Sequence, residues 1–246
     1  GIITMDKSDI DVSLLPPSVQ PAVRSLAELL IDSAGPNLLG FAVFGATLTE
    51  DFDPKRMPVR SVAVLEKMDL VLLNSLRSHG PRMGRQRLQA PLFMTEQYID
   101  QSRDSFPIEL LEMQRLHAVV LGKDYFESLE FARPDVRLQC ERELKAILIT
   151  MRQGLLSAHK DAMISALLAA AVEQLVRILR AVLWLKDVES PREAAAVLSA
   201  ADKLIAQPLT GMRDSLSASS KETFVQFEHL YKDIEALSKY VNEINC

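Results

Sequence analysis

Glycine is scarce in this chain, nine among 246 residues, and none falls in a GxGxxG or GxxxxGK[ST] pattern. Both phosphate-cradling patterns need glycine to bring the backbone close to the ligand, so dinucleotide-binding and P-loop readings are excluded. Cysteine is scarcer still. Cys140 and Cys246 lie far apart, which gives neither a disulfide framework nor a CxxC metal site and points to a reducing compartment. Excess positive charge is also lacking: the net charge is −5, so bulk electrostatics do not favour wrapping nucleic acid, though a local basic patch can still hold phosphate.

Leader and catalytic signatures are missing as well. The opening Gly1-Ile2-Ile3-Thr4-Met5-Asp6 has no basic segment followed by an apolar one, and a cytoplasmic protein without a signal peptide is expected. His79, His117, His159 and His229 are widely spaced and form no HExxH, and no Gly-x-Ser-x-Gly elbow occurs. The most apolar stretch, Met163 to Leu185, contains Glu173, Arg177 and Arg180 on one helical stripe. It reads as a buried helix with one wet edge rather than a membrane span. Trp184 within it is expected in a core or an interface.

What is present is globular composition, 48% hydrophobic and 25% charged, in two textures. In the first, Pro16-Pro17 opens a helical pattern with Val19, Val23, Leu26, Leu29 and Leu30 on one face, stopped at Ala34-Gly35-Pro36. Apolar runs Leu38–Phe44, Val59–Leu65 and Ala90–Met94 read as strands, and Phe106–Met113 as a fourth. Thr47 to Pro58 reads as a loop, Asp69 to Ser78 as a helix, Arg82 to Arg87 as a basic loop, and a brief helix starts at Thr95. Strands alternating with helices imply an α/β (α+β) unit with a mixed sheet, over residues 1–133.

From residue 134 onward the texture is helical. Leu138, Leu144, Ile147, Leu148, Met151 and Leu155 follow helical spacing, as does the segment from Asp161 to Lys186. Ser190-Pro191-Arg192-Glu193 reads as a capping box, and a last helix is expected from about Ser220 to Val241. Residues 134–246 are therefore expected to form an all-α bundle. Ala166, Ala169, Ala170 and Ala171 permit close helix packing, most simply within the chain's own core.

The order helix, strand, Gly-small turn, polar loop, strand, helix resembles the opening of the nucleotidyltransferase superfamily. Phe41-Ala42-Val43-Phe44-Gly45-Ala46 stands where that family has its strand and Gly-Ser turn, and Ser61-Val62-Ala63-Val64 where it has Asp-x-Asp. The family's alternating carboxylates hold two Mg²⁺ ions that orient a triphosphate. Here those places are Ser61 and Ala63, and Ala46 replaces a phosphate-holding serine. Glu109 is placed as the family's third acid, and one carboxylate cannot hold two metals.

The resemblance thus implies a nucleotidyltransferase-like protein without metal or catalysis, acting by binding a nucleotide, a phosphorylated ligand or a protein. Its expected ligand site joins the Gly45-Ala46 turn to Arg77, Arg82, Arg85 and Arg87, because arginine suits bidentate phosphate contacts. Two other readings stand beside it. One is an active Mg²⁺-dependent enzyme with relocated acids at Asp51, Asp53 and Glu109, although Asp51-Phe52-Asp53 reads as a solvated turn and Glu109 and Glu112 would face opposite sides of a strand. The other is a structural partner or homo-oligomer assembled through the helical tail. Arg137, Arg142, Lys145 and Arg152 give that tail a basic start, offset by Glu141 and Glu143.

Overall fold

A computed structural model describes residues 4–217 and 222–246. Gly1–Ile3 and the expected helix start at Ser220 lie outside the described residues. The chain divides into two compact units, one running to Arg103 and including Glu109–Glu130, the other comprising Asp104–Ile108 and Phe131–Cys246.

The first unit begins with α1 (Gln20–Ala34), which buries Val23, Leu26, Ala27, Leu30 and Ile31 along one stripe. Strand β1 (Leu38–Phe44) is buried almost throughout, as a continuous apolar run requires. A 3₁₀ turn over Gly45–Leu48 follows, then the polar loop to β2 (Arg60–Leu65). Asp69 caps α2 (Leu70–Leu76) by accepting the amides of Val71 and Leu72. A second short helix, α3 (Gly80–Arg85), stands where a basic loop was expected, with Pro81 in its first turn. It ends at Arg85, and two residues on Arg87, with a φ of 54°, turns the chain away.

Strand β3 (Leu92–Thr95) leads directly into α4 (Glu96–Gln101), capped by the Thr95 hydroxyl. The segment expected as the fourth strand is instead helix α5 (Pro107–Arg115). Ile108, Leu110, Leu111 and Met113 are all buried, a spacing that alternation along a strand cannot satisfy. The fourth strand, β4, is His117–Gly122.

The sheet order is β3-β2-β1-β4. β1 pairs antiparallel with β2, Phe41 opposite Ala63 and Ala42 opposite Val62, and antiparallel with β4; β2 and β3 are parallel. The expected neighbouring of the strands at Phe41 and Val62 is therefore observed in a mixed sheet. On one sheet face Phe41, Val43, Ala63, Leu65, Ala118 and Leu121 join the α1 residues in a single apolar core.

The second unit holds α6 (Arg133–Ser157), α7 (Asp161–Leu185), α8 (Ala194–Ile205), α9 (Thr210–Leu216) and α10 (Thr223–Asn242). Its described residues after Pro134 contain no strand, as expected. The long helices bury matching stripes, Cys140, Leu144, Ile147 and Met151 from α6 and Leu168, Leu175, Ile178 and Leu179 from α7. Helix α8 starts three residues after the expected Pro191, because Arg180 donates from its two Nη atoms to the carbonyls of Pro191 and Arg192 and holds that segment extended. Glu193 is the cap residue and makes no side-chain capping bond.

Among the described residues α7 alone is long and apolar enough to cross a membrane, and 39% of its most apolar stretch is buried within the protein. Ala171 is buried, whereas Ala166, Ala169 and Ala170 are exposed, so three of the four alanines are not packed in the core. Trp184 is half-buried, edge-on to Phe131 and beneath the Arg133 guanidinium.

Candidate functional site

Two polar regions of the first unit are candidate sites. The first is the turn after β1. Gly45 adopts a φ of 83°, in the left-handed region that favours glycine, and its N–H donates to the Leu116 carbonyl at 2.8 Å. Arg60 and Glu112 form an ion pair at 2.9 Å directly against Gly45, each 3.3 Å from the place a Cβ would take. The Arg60 guanidinium also lies over the Phe44 ring at 4.5 Å. The Gly45 amide expected to face a ligand is thus already used, and the space beside it is filled.

The arginines grouped in the sequence go to different partners. Arg82 donates to Ser25 on α1, Arg77, just past the end of α2, to Asn74 of that helix, and the Arg87 carbonyl accepts the Val59 amide. All four side chains, Arg85 included, are exposed. Ala46 is exposed too, and its carbonyl accepts from both the amide and the hydroxyl of Thr49.

The positions aligned with metal carboxylates are buried. Ser61 is 3% exposed and Ala63 0%. Alternation along β2 puts both on the face that carries Val59, Ala63 and Leu65 into the apolar core with α1. The Ser61 hydroxyl has no hydrogen-bond partner there. A hydroxyl and a methyl enclosed by hydrocarbon do not fit a Mg²⁺ site, which needs several oxygen ligands and retained water. Glu109 lies on α5 rather than on a strand, one turn from Glu112. Asp53 accepts the Lys55 amide at 2.9 Å, an Asx turn of the expected kind.

The second region is a cleft of about 980 Å³ at the opposite end of the sheet. Because β2, β3 and β4 all run counter to β1 or parallel to one another, their carboxyl ends emerge together there. Open α/β sheets place ligands at that end, beyond the last residues of the strands. The strand ends supply Lys67, Glu96 and Lys123 in the positions that follow β2, β3 and β4.

The walls are fixed by local contacts. Asn37 grips the Lys67 backbone through both its amide atoms. The chain after β4 is fastened by Asp124, which accepts the amides of Phe126 and Glu127 and pairs with His117 Nε2 at 2.8 Å. Gln114 Nε2 donates to three carbonyls of the same loop, those of Phe126, Glu127 and Leu129. Gly122 turns this corner with a φ of 76°, and a Cβ there would lie 2.4 Å from the Leu39 carbonyl.

Charges in the cleft are largely paired. Lys123 stands 3.4 Å from Glu96 and 4.8 Å above the Tyr125 ring, and Arg103 is 2.6 Å from Asp100. Burial pushes the Tyr125 phenol upward, and Glu96 adds to the effect against the opposing pull of Lys123. Burial alone would raise Asp124 as well. Its bonds from His117, Phe126 and Glu127 together outweigh that and hold it below the ordinary carboxylate range. The lining sets four carboxylates, Glu66, Glu96, Asp100 and Asp124, against three cations, Lys67, Arg103 and Lys123, so an anionic ligand has to take over the donors that Glu96 and Asp100 now hold.

Sequence reasoning missed this cleft because Lys67, Arg103 and Lys123 are distant in the chain. The usable signal was the apolar run His117–Leu121 closed by Gly122, which marks a strand end. Compared with models of known protein families and with curated proteins, the chain matches neither.

Proposed function

We propose that the first unit is a nucleotidyltransferase-like head in which the metal positions have become core, and that it works by binding an anionic small molecule, a nucleotide or phosphorylated metabolite, without transferring it. The observation that carries this reading is the burial of Ser61 and Ala63 on the α1 side of the sheet. Support for the head's kinship comes from the succession α1, β1, Gly45 turn, loop and antiparallel β2. Mg²⁺ has no suitable donors at Ser61 and Ala63.

The cleft at the carboxyl ends of β2, β3 and β4 is the better place for the ligand than the Gly45 turn. Lys67, Lys123 and Arg103 supply its cations, and Tyr125 gives a ring wall. The two cysteines are free, Cys140 with its thiol pushed up by burial and then by Glu143, in keeping with a reducing cytoplasmic setting.

Calorimetry with nucleoside triphosphates and sugar phosphates, without Mg²⁺ and at two salt concentrations, tests the reading. Binding that weakens with salt and falls about tenfold in Lys67→Ala with Lys123→Ala supports it. Binding unchanged in that variant but lost in Arg82→Ala with Arg85→Ala would return the site to the arginines beyond α2. Transfer of a labelled nucleotidyl group, abolished by Asp53→Ala or Glu109→Ala, would establish the enzyme with relocated acids instead.

A further inference from the structure

Helix α6 has two opposed stripes. Val136, Cys140, Leu144, Ile147 and Met151 are buried, and on the far side Leu138, Arg142, Lys145, Ile149, Arg152 and Leu156 are exposed. The six exposed positions are spaced alternately four and three residues apart, a 3.5-residue repeat. On a helix of 3.6 residues per turn they fall within a band of about 80°. Leu156 is 88% exposed, Ile149 49% and Leu138 37%, so three apolar side chains in one line face solvent.

Every charged residue on this line is a cation. The acids of α6 are outside the line itself: Asp135 lies in the first turn, Glu141 pairs with Arg137 and with Lys145 of the line, and Glu143 lies 4.0 Å from Arg177. In a chain of net charge −5 this is a local reversal of sign.

Three occupants compete for such a strip. A membrane surface calls for a broad apolar face with cations at its edges, whereas here cations alternate with leucine and isoleucine inside one narrow band. A second copy meets like charge. The antiparallel pairing that sets Leu138 against Leu156 also sets Arg142 against Arg152, and the parallel pairing sets each cation against itself. A helix with carboxylates at the matching seam positions neutralises Arg142 and Arg152, joins Glu141 around Lys145, and covers the three apolar side chains together.

We infer that α6 is a docking strip for an acidic amphipathic helix of another protein, its carboxylates opposite Arg142, Lys145 and Arg152 and its apolar residues opposite Leu138, Ile149 and Leu156. The strip lies in the helical unit and does not depend on what the cleft of the first unit binds.

The test uses the full chain and a synthetic helical peptide of about three heptads, with leucine and glutamate placed to match the strip. The expected result is salt-sensitive binding in the micromolar range. It should weaken at least about tenfold in Arg142→Glu with Arg152→Glu, and return when that variant meets the same peptide with lysine for glutamate. Both substitutions are on exposed positions, and an unchanged thermal midpoint would show that the variant remains folded. Absence of binding to the native chain, or equal affinity for native and variant, would overturn the inference. So would two other results. Phosphatidylserine vesicles that retain the native chain but not the variant would assign the strip to a membrane. A sedimenting dimer of the chain alone, lost in the variant, would assign it to a second copy.

Discussion

Arg60 Nη1 lies 2.9 Å from Glu112 Oε1, and the pair closes the corner where β1 turns at Gly45. Only 11% of the Glu112 side chain and 26% of the Arg60 side chain is exposed, and the second Glu112 oxygen has no partner. The corner is a structural knot, not an open anion cradle. Glu112→Gln is therefore expected to lower stability by about 1–3 kcal/mol, by weakening the charge-assisted bond and leaving the guanidinium without its counter-charge. Gly45→Ala should cost a similar amount, about 1–3 kcal/mol, from left-handed strain and contact with the same pair. Urea unfolding of the two variants checks both figures, and midpoints equal to the native one would show the corner to be slack.

Asp124 fastens the loop after β4, and its depressed pKa gives the sign of its pH dependence. A carboxylate more acidic folded than unfolded contributes stability above its unfolded value, and that contribution is lost as pH falls through the folded value. Asp124→Asn should therefore be less stable than the native chain at pH 7. The gap should close in acid below about pH 4, where the native carboxyl also protonates. Urea midpoints for both proteins across that range measure it.

Asp233 on α10 carries the opposite sign. It is 5% exposed and accepts the Met212 amide at 2.8 Å, capping α9 from a neighbouring helix because Leu209 at the cap position has no side-chain acceptor. Burial raises its pKa, with Asp202 adding to the effect and the amides of Met212 and Gly211 opposing it. A group that holds its proton more tightly when folded loses stability as pH rises through the folded value. Asp233→Asn keeps an acceptor for Met212 and cannot ionise. Its thermal midpoint should gain on the native one as pH climbs from about 4, because only the native chain loses the Asp233 contribution through that window. Parallel curves would mean that Asp233 titrates like an exposed carboxylate.

Elements with a local signature were legible in the sequence, and those fixed by distant partners were not. β1 and β2 are continuous apolar runs bounded by turns, and the structure has them as adjacent antiparallel strands. The Phe106–Met113 segment reads as a strand only as far as Phe106, Ile108 and Leu110 alternate; Leu111 and Met113 break that alternation and fit a helix. Pro107 at the first helical position and the three-residue spacing of Glu109 and Glu112 were the helical signals. Ser190 resembles a cap residue, but Arg180 binds the carbonyls of Pro191 and Arg192 first, and nothing near Ser190 announces that. The basic cluster was legible as composition only. Its arginines disperse to Ser25, Asn74 and solvent, and the cleft gathers Lys67, Arg103 and Lys123 through the sheet's topology.

Which way Ala63 faces decides whether β2 can carry a metal ligand, and Ala63→Asp measured by urea unfolding with and without Mg²⁺ tests that most directly. Ala63 is 0% exposed in the core shared with α1, so a carboxylate there has neither water nor a partner. The predicted result is a loss of more than about 3 kcal/mol that Mg²⁺ does not restore. A variant that keeps native stability and gains a Mg²⁺-dependent rise in its midpoint would contradict the account, because it would place position 63 in a metal-accessible site.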